Sequence, residues 1–177
     1  IVFVGVFISI YTIAGGIEAV IWTDVVQSIV LWAGGIICFV TIAWQLPGGV
    51  GQIFEAGVQH GKFDVGSMEF NLNERTFWTV GLLGIVSWLT MYSSDQNVVQ
   101  RYLAAKSLKE ARKATTIYSI IAVPTWAFFF FLGTAVFVFY TVNPDEAVTG
   151  LEADAIFPYF ILTQVPVGIT GLVIAGV

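Results

Sequence analysis

A carboxylate, an amide and a hydroxyl lie close together in an apolar stretch, at Asp24, Gln27 and Ser28. Residues at i, i+3 and i+4 share one face of a helix, so a helix here brings three oxygen-bearing side chains together. A carboxylate inside a bilayer costs at least about 2.5 kcal/mol and needs a compensating role. The patch suits a hard cation or a proton relay. The alternative is a carboxylate near the cytoplasmic helix end that reaches the headgroups or pairs with a basic loop residue.

A second polar cluster, residues 93–97, interrupts the later apolar run 76–100. Ser93 and Gln96 have the spacing of a capping box, which predicts that a new helix starts inside this run. Transporters bind solutes at such breaks, because the helix ends there offer unpaired backbone donors and acceptors. The side chains expected to line a cavity or its gate are Trp88, Met91, Tyr92 and Asp95. The alternative is ordinary helix packing, with Asp95 at the inner headgroup level.

The elements that must carry these residues are apolar helices. The 177 residues are 57% hydrophobic and 11% charged, with a mean hydropathy of +0.86, which excludes a soluble domain and predicts an all-α, multi-pass membrane protein. The chain forms a single transmembrane region whose predicted spans lie at about 1–14, 19–45, 76–100, 115–140 and 166–177. Both ends fall inside apolar sequence, so we expect an internal piece of a longer protein.

Charge predicts the orientation of these spans. Five of the seven basic residues lie in one predicted connection, 101–113: Arg101, Lys106, Lys109, Arg112 and Lys113. The positive-inside rule places that loop in the cytoplasm, so the loop 47–75 and the segment 143–164 face outside. The alternative for this cluster is a dedicated lipid or partner site.

Composition and motifs also exclude several classes of function. A net charge of −5 and a pI near 4.6 disfavour nucleic acid as a partner. His60 is the single histidine and Cys38 the single cysteine, so histidine or cysteine metal clusters and Ser–His or Cys–His dyads are excluded. The sequence contains no Walker or Rossmann pattern. We therefore expect no enzyme.

Two blocks, Gly15–Gln27 and Ser94–Ala111, resemble signature stretches of the sodium/solute symporter family. The spacing between them and the closing Gln164–Ile169 also fit, and bacterial sodium/sialic acid symporters are the nearest likeness. The resemblance implies part of a leucine-transporter-like bundle of two inverted five-helix repeats. It also implies sodium as a co-transported ion. The chain would cover the fourth to seventh core helices and the start of the eighth, with the principal sodium site outside it.

The resemblance also assigns roles to residues. Asp24 matches an aspartate of the fifth helix that is tied to sodium coupling, which makes Asp24, Gln27 and Ser28 a candidate sodium site. Trp88, Met91 and Tyr92 match positions of the sixth helix that line the substrate cavity or its inner gate. Sugar-carrying members often have a lysine near the position of Ala122, so glucose and galactose are disfavoured.

The expected function is sodium-coupled symport of a small organic solute across the cell membrane by alternating access. The candidate solutes are of the sialic acid, monocarboxylate, sugar or amino acid class. The other expected partners are the lipid bilayer and the remaining helices of the full-length transporter. One rival is a symporter-like membrane sensor module coupled to a signalling domain. A passive channel is disfavoured because no span shows a repeated polar filter.

Overall fold

The computed structural model describes residues 2–176, and the regular elements in this part of the chain are all α-helices. They are α1 (Val2–Gln45), α2 (Gly49–Gln59), α3 (Phe77–Ser94), α4 (Gln96–Leu103), α5 (Leu108–Val142), α6 (Glu146–Thr149), α7 (Ala153–Gln164) and α8 (Val167–Gly176). Ile1 and Val177, the outermost residues of the first and fifth predicted spans, lie outside the described residues.

Helix α1 contains a break at Gly16. Gly16 has φ 59° and ψ −156°, a conformation that is essentially restricted to glycine. The break separates the two predicted spans 1–14 and 19–45, which are therefore the two limbs of α1. Its neighbour Gly15 is also constrained, because a Cβ there would clash with the Cβ of Ala19.

Within residues 2–176, two helices are long and apolar enough to cross a membrane by length and composition, namely Gly5–Gln45 of α1 and Leu108–Val142, which is α5. Many of their large apolar side chains are exposed, Trp44 to 88% and Phe130 to 70%. Exposed apolar surface on this scale indicates contact with lipid or with other helices.

The chain divides into two compact units, and the first contains α1, α2, the part of α5 from Thr125 onward, and α6 to α8. Its core consists of fully or nearly buried apolar side chains. They include Cys38 and Ile42 of α1, Ile53 of α2, Leu132 and Val138 of α5, and Phe160 of α7.

Aromatic rings pack α1 closely against α5 in this unit. The rings of Trp32 and Phe128 are stacked, with centroids 5.0 Å apart and planes 16° apart. A Cβ on Gly35 would lie 2.9 Å from Phe128, so no larger residue fits at Gly35 unless the ring moves. The absence of a side chain at Gly35 therefore permits this close approach.

The second unit, Phe63–Pro124, contains α3, α4 and the first part of α5. A capping box starts α3: the Oγ1 atoms of Thr76 and Thr79 each accept the backbone N–H of the other residue. Asp95 separates α3 from α4, so the apolar run 76–100 contains two helices, with the break inside the polar cluster 93–97.

The predicted loop 101–113 is also mostly helical. Helix α4 continues to Leu103 and α5 begins at Leu108, so only 104–107 connects them. The reason lies in 108–113, where Leu, Lys, Glu, Ala and Arg are all strong helix formers.

Candidate functional site: the break between α3 and α4

The break is built around Asp95. Its backbone is extended, with φ −72° and ψ 119°, and its Oδ1 accepts the backbone N–H of Asn97 at 2.8 Å and of Val98 at 3.4 Å. Aspartate is among the best N-cap residues, so the sequence itself favours a helix start here. One carboxylate thus satisfies two backbone donors at the start of α4.

The predicted capping role of Ser93 is wrong. Ser93 lies inside α3, where its Oγ donates to the carbonyl oxygen of Leu89 at 2.6 Å. A serine within a helix commonly bonds the carbonyl four residues earlier. The break follows two residues later, at Asp95, which caps α4. The Oδ1 atom of Asp95 is therefore engaged in capping α4.

Tyr102 forms a second connection across the break. Its hydroxyl donates a hydrogen bond to the backbone carbonyl oxygen of Tyr92. Tyr92 belongs to the last turn of α3 and Tyr102 to the second turn of α4. This residue was not among the predicted site residues, because spacing along a single helix does not reveal a contact between two helices.

Two of the aromatic residues that were predicted to form a wall lie together on α3. The rings of Trp88 and Tyr92 are stacked, with centroids 5.5 Å apart and planes 14° apart. Tyr118 of α5 meets Tyr92 edge-on, with centroids 6.2 Å apart and planes 65° apart. Both arrangements are favourable for aromatic pairs. Tyr118 is a further residue that the sequence analysis missed.

A cavity of about 240 Å³ lies beside this wall. It is lined by Met91, Tyr92, Val98, Arg101, Tyr102, Ala105, Ala111, Ala114, Thr115 and Tyr118. Asp95 lines a neighbouring, more open cavity together with Met91 and Ser94. The structure thus brings Met91 and Tyr92 to one cavity, with Trp88 stacked behind Tyr92. The lining is mainly apolar and aromatic, with the polar groups of Arg101, Thr115 and the tyrosines, which is typical of small-molecule sites.

The three oxygen-bearing residues of α1 form a separate patch. Asp24 is half-buried, whereas Gln27 and Ser28 are exposed. The Oγ of Ser28 donates to the carbonyl oxygen of Asp24 at 2.7 Å, so its proton is used within the helix. The lone pairs of that hydroxyl stay available as acceptors, which is the chemistry that a hard cation requires.

The five predicted basic residues surround the short connection between α4 and α5. All five are exposed: Arg101 on α4, Lys106 in the connection, and Lys109, Arg112 and Lys113 on α5. Ala122 is buried within α5. Across residues 2–176, no three histidine, cysteine, aspartate or glutamate side chains are grouped as a metal site.

Comparison with known proteins identifies the family. A family model described as the sodium:solute symporter family matches residues 1–177. The chain belongs to the sodium:solute symporter family. This family consists of transporters rather than enzymes, and the two candidate membrane-spanning helices agree with a membrane protein.

Two similar relatives of this symporter-family chain are bacterial. It is 34% identical over 178 residues to the sodium/sialic acid symporter of Proteus mirabilis, covering 100% of this chain and 36% of that protein. It is also 34% identical over 175 residues to the sodium/sialic acid symporter of Aliivibrio fischeri, covering 98% of this chain and 35% of that protein. The chain thus spans about a third of the length of these relatives.

A solved structure shares the fold of this chain. It is a substrate-bound, outward-open state of a Na⁺-coupled sialic acid symporter with a novel Na⁺ site. The two structures superpose with a TM-score of 0.87, and their sequences are 34% identical. The match covers 94% of this chain and 36% of the chain of the solved structure. Together with the all-helical architecture, this confirms the predicted fold: the chain is part of a leucine-transporter-like helical bundle.

Proposed function

We propose that the full-length protein is a sodium-coupled symporter that carries a small organic solute across the cell membrane by alternating access. The observation that carries this proposal is the match to Na⁺-coupled sialic acid symporters along essentially the whole chain. The local geometry agrees with it, because a helix break with a cavity beside it is the usual form of a transporter binding region. Entry of sodium down its gradient, and the membrane potential at about 2.3 kcal/mol per charge per 100 mV, would drive uptake.

We propose the membrane topology from the basic residues. The exposed cluster Arg101–Lys113 lies in the cytoplasm, which follows the positive-inside rule. The loop 47–75 and the segment 143–164 then face outside, and α1 and α5 cross the cell membrane. Exposed apolar side chains on both helices support contact with the bilayer and with the remaining helices of the transporter.

We propose that Asp24, Gln27 and Ser28 take part in sodium coupling. Sodium is cargo rather than a resident cofactor, and it binds to oxygen atoms. The half-buried carboxylate of Asp24 supplies negative charge, and the hydroxyl of Ser28 and the amide of Gln27 supply neutral oxygens on the same helix face. Residues outside this chain would complete the coordination.

We propose sialic acid as the first solute to test. Both bacterial relatives are named as sodium/sialic acid symporters, and the solved structure is that of a Na⁺-coupled sialic acid symporter. A wall of stacked rings beside a largely apolar cavity suits the apolar face of a sugar ring, and the cavity also offers the polar groups of Thr115 and Tyr102. Trp88, Met91 and Tyr92 are the proposed residues of this wall.

The rival function, a membrane sensor coupled to a signalling domain, gains no support from the relatives described above, which are symporters by name.

The deciding experiment is uptake by the purified full-length protein in proteoliposomes. An inward sodium gradient should accumulate labelled sialic acid, and replacing sodium by potassium should abolish accumulation. Proline, a monocarboxylate and glucose serve as comparison solutes. Sialic acid accumulation that is equal with potassium would contradict sodium coupling.

A further inference from the structure

The carbonyl oxygen of Tyr92 has an unusual hydrogen-bond partner. The last four carbonyl groups of a helix lack partners within that helix, and Tyr92 is among the last four residues of α3. The backbone N–H of Asp95 donates a hydrogen bond of 3.3 Å to the neighbouring carbonyl oxygen, that of Met91. The carbonyl of Tyr92 instead receives the hydroxyl of Tyr102, ten residues further along. A side chain of α4 thus completes the end of α3.

This bond differs in kind from the cap formed by Asp95. The cap satisfies two N–H groups in the first turn of α4, so it stabilises the start of that helix. The bond from Tyr102 has its donor in α4 and its acceptor in α3, so it restrains the angle between the two helices. It also restrains the backbone of the residue whose ring stacks on Trp88 and contacts Tyr118.

We propose that Tyr102 is a positioning residue, whose hydroxyl acts as a latch between α3 and α4 and holds the Tyr92 ring in the wall of the site. For its effect on transport, the proposal rests on the proposed function. Without the hydroxyl, the phenyl ring at position 102 still fills the same space. The restraint on α4 is lost, so the cavity wall formed by Val98 and Tyr92 opens more often.

The first test needs no substrate. Val98→Cys is introduced into the full-length protein in a background without other reactive cysteines, and its alkylation rate is measured in detergent. Adding Tyr102→Phe should raise this rate roughly two- to tenfold, the range expected for loss of one hydrogen bond. Tyr118→Phe is the matched control, because it removes a hydroxyl from the same cavity and leaves the latch intact. Equal rates with tyrosine and phenylalanine at position 102 would overturn the proposal.

The second test uses sialic acid uptake in proteoliposomes. A positioning role predicts that Tyr102→Phe raises the half-saturating concentration more than it lowers the maximal rate per reconstituted transporter. A fall in the maximal rate alone would indicate a purely structural role and would contradict the proposal. If the unmodified protein transports no sialic acid, the proposed solute is wrong, while the alkylation rates still decide whether the latch exists. Tyr102→Leu, which also lacks the donor, replaces Tyr102→Phe if that variant does not fold.

Discussion

The phenol of Tyr159 on α7 donates a hydrogen bond of 2.9 Å to Oδ2 of Asp145, whose Oδ1 accepts the backbone N–H of Ala147 at 2.9 Å. A single carboxylate therefore caps α6 and ties it to α7. Accepting the hydroxyl proton stabilises the neutral phenol, so the hydrogen bond to Asp145 raises the pKa of Tyr159 above its usual value. Burial and the negative charge of Asp145 act in the same direction.

We expect this contact to make stability depend on pH in the alkaline range. Because the pKa of Tyr159 is raised in the folded state, the stability that its hydrogen bond to Asp145 adds is fully present below the unfolded-state pKa of about 10. That added stability is lost as pH rises through the folded-state pKa. The melting temperature of the full-length protein should therefore exceed that of Tyr159→Phe by a constant margin up to about pH 10. The margin should shrink above that pH. A margin that stays constant to pH 11 would contradict the assigned cause.

Two substitutions at Asp95 separate its capping role from its charge. Asparagine caps as well as aspartate, whereas alanine removes the cap at a cost of about 0.5–2 kcal/mol. If the role is capping, Asp95→Asn should leave the thermal stability and transport of the full-length protein nearly unchanged, and Asp95→Ala should lower both. Equal impairment by both variants would instead assign the function to the negative charge.

Neutralising Asp24 should weaken the response to sodium. We expect Asp24→Asn to raise the sodium concentration for half-maximal uptake about tenfold, equivalent to about 1.4 kcal/mol, because a charged ligand becomes neutral. The half-saturating solute concentration at saturating sodium should change less. The control is Glu18→Gln, an exposed carboxylate on the same helix that should have little effect. An unchanged sodium response in Asp24→Asn would exclude the proposed role.

A side chain at Gly16 should destabilise the break in α1. Its φ of 59° and ψ of −156° are accessible to glycine but strained for alanine, so we expect Gly16→Ala to cost about 1–3 kcal/mol. Gly5→Ala is the matched control, since Gly5 is helical and an added Cβ there meets no atom within 4 Å. Thermal unfolding of the two full-length variants provides the comparison. Equal stability would show that the break tolerates a side chain.

Much of the fold could be predicted from local pattern. Apolar runs indicated helices, the break at Gly16 falls in the gap between the predicted spans 1–14 and 19–45, and the polar cluster 93–97 indicated a second break. The cap itself was misassigned to Ser93, because a serine hydroxyl serves equally well inside a helix, as its bond to Leu89 shows. Capping boxes are therefore ambiguous when another good N-cap residue such as Asp95 lies nearby.

The candidate site could be predicted only where it lies on one helix. Spacing placed Trp88 and Tyr92 on one face of α3, and their rings are stacked. Tyr102 and Tyr118 reach the same cavity from α4 and α5, and periodicity does not say which helix faces meet. The assignment of Asp24 to sodium stays a prediction for the same reason, because residues on other helices would complete the site.

The close fit between Gly35 and Phe128 has a consequence for how related sequences can diverge. The ring occupies the space that a Cβ on Gly35 would need, with 2.9 Å between them, so the two positions share one fixed volume. A larger residue at position 35 requires the ring of Phe128 to move or to become smaller, and Phe129, 3.1 Å from the same Cβ, must also give way. The stacking of Phe128 on Trp32 is then disturbed. In functional homologues, a residue larger than glycine at position 35 should therefore be accompanied by changes at position 128 or 129.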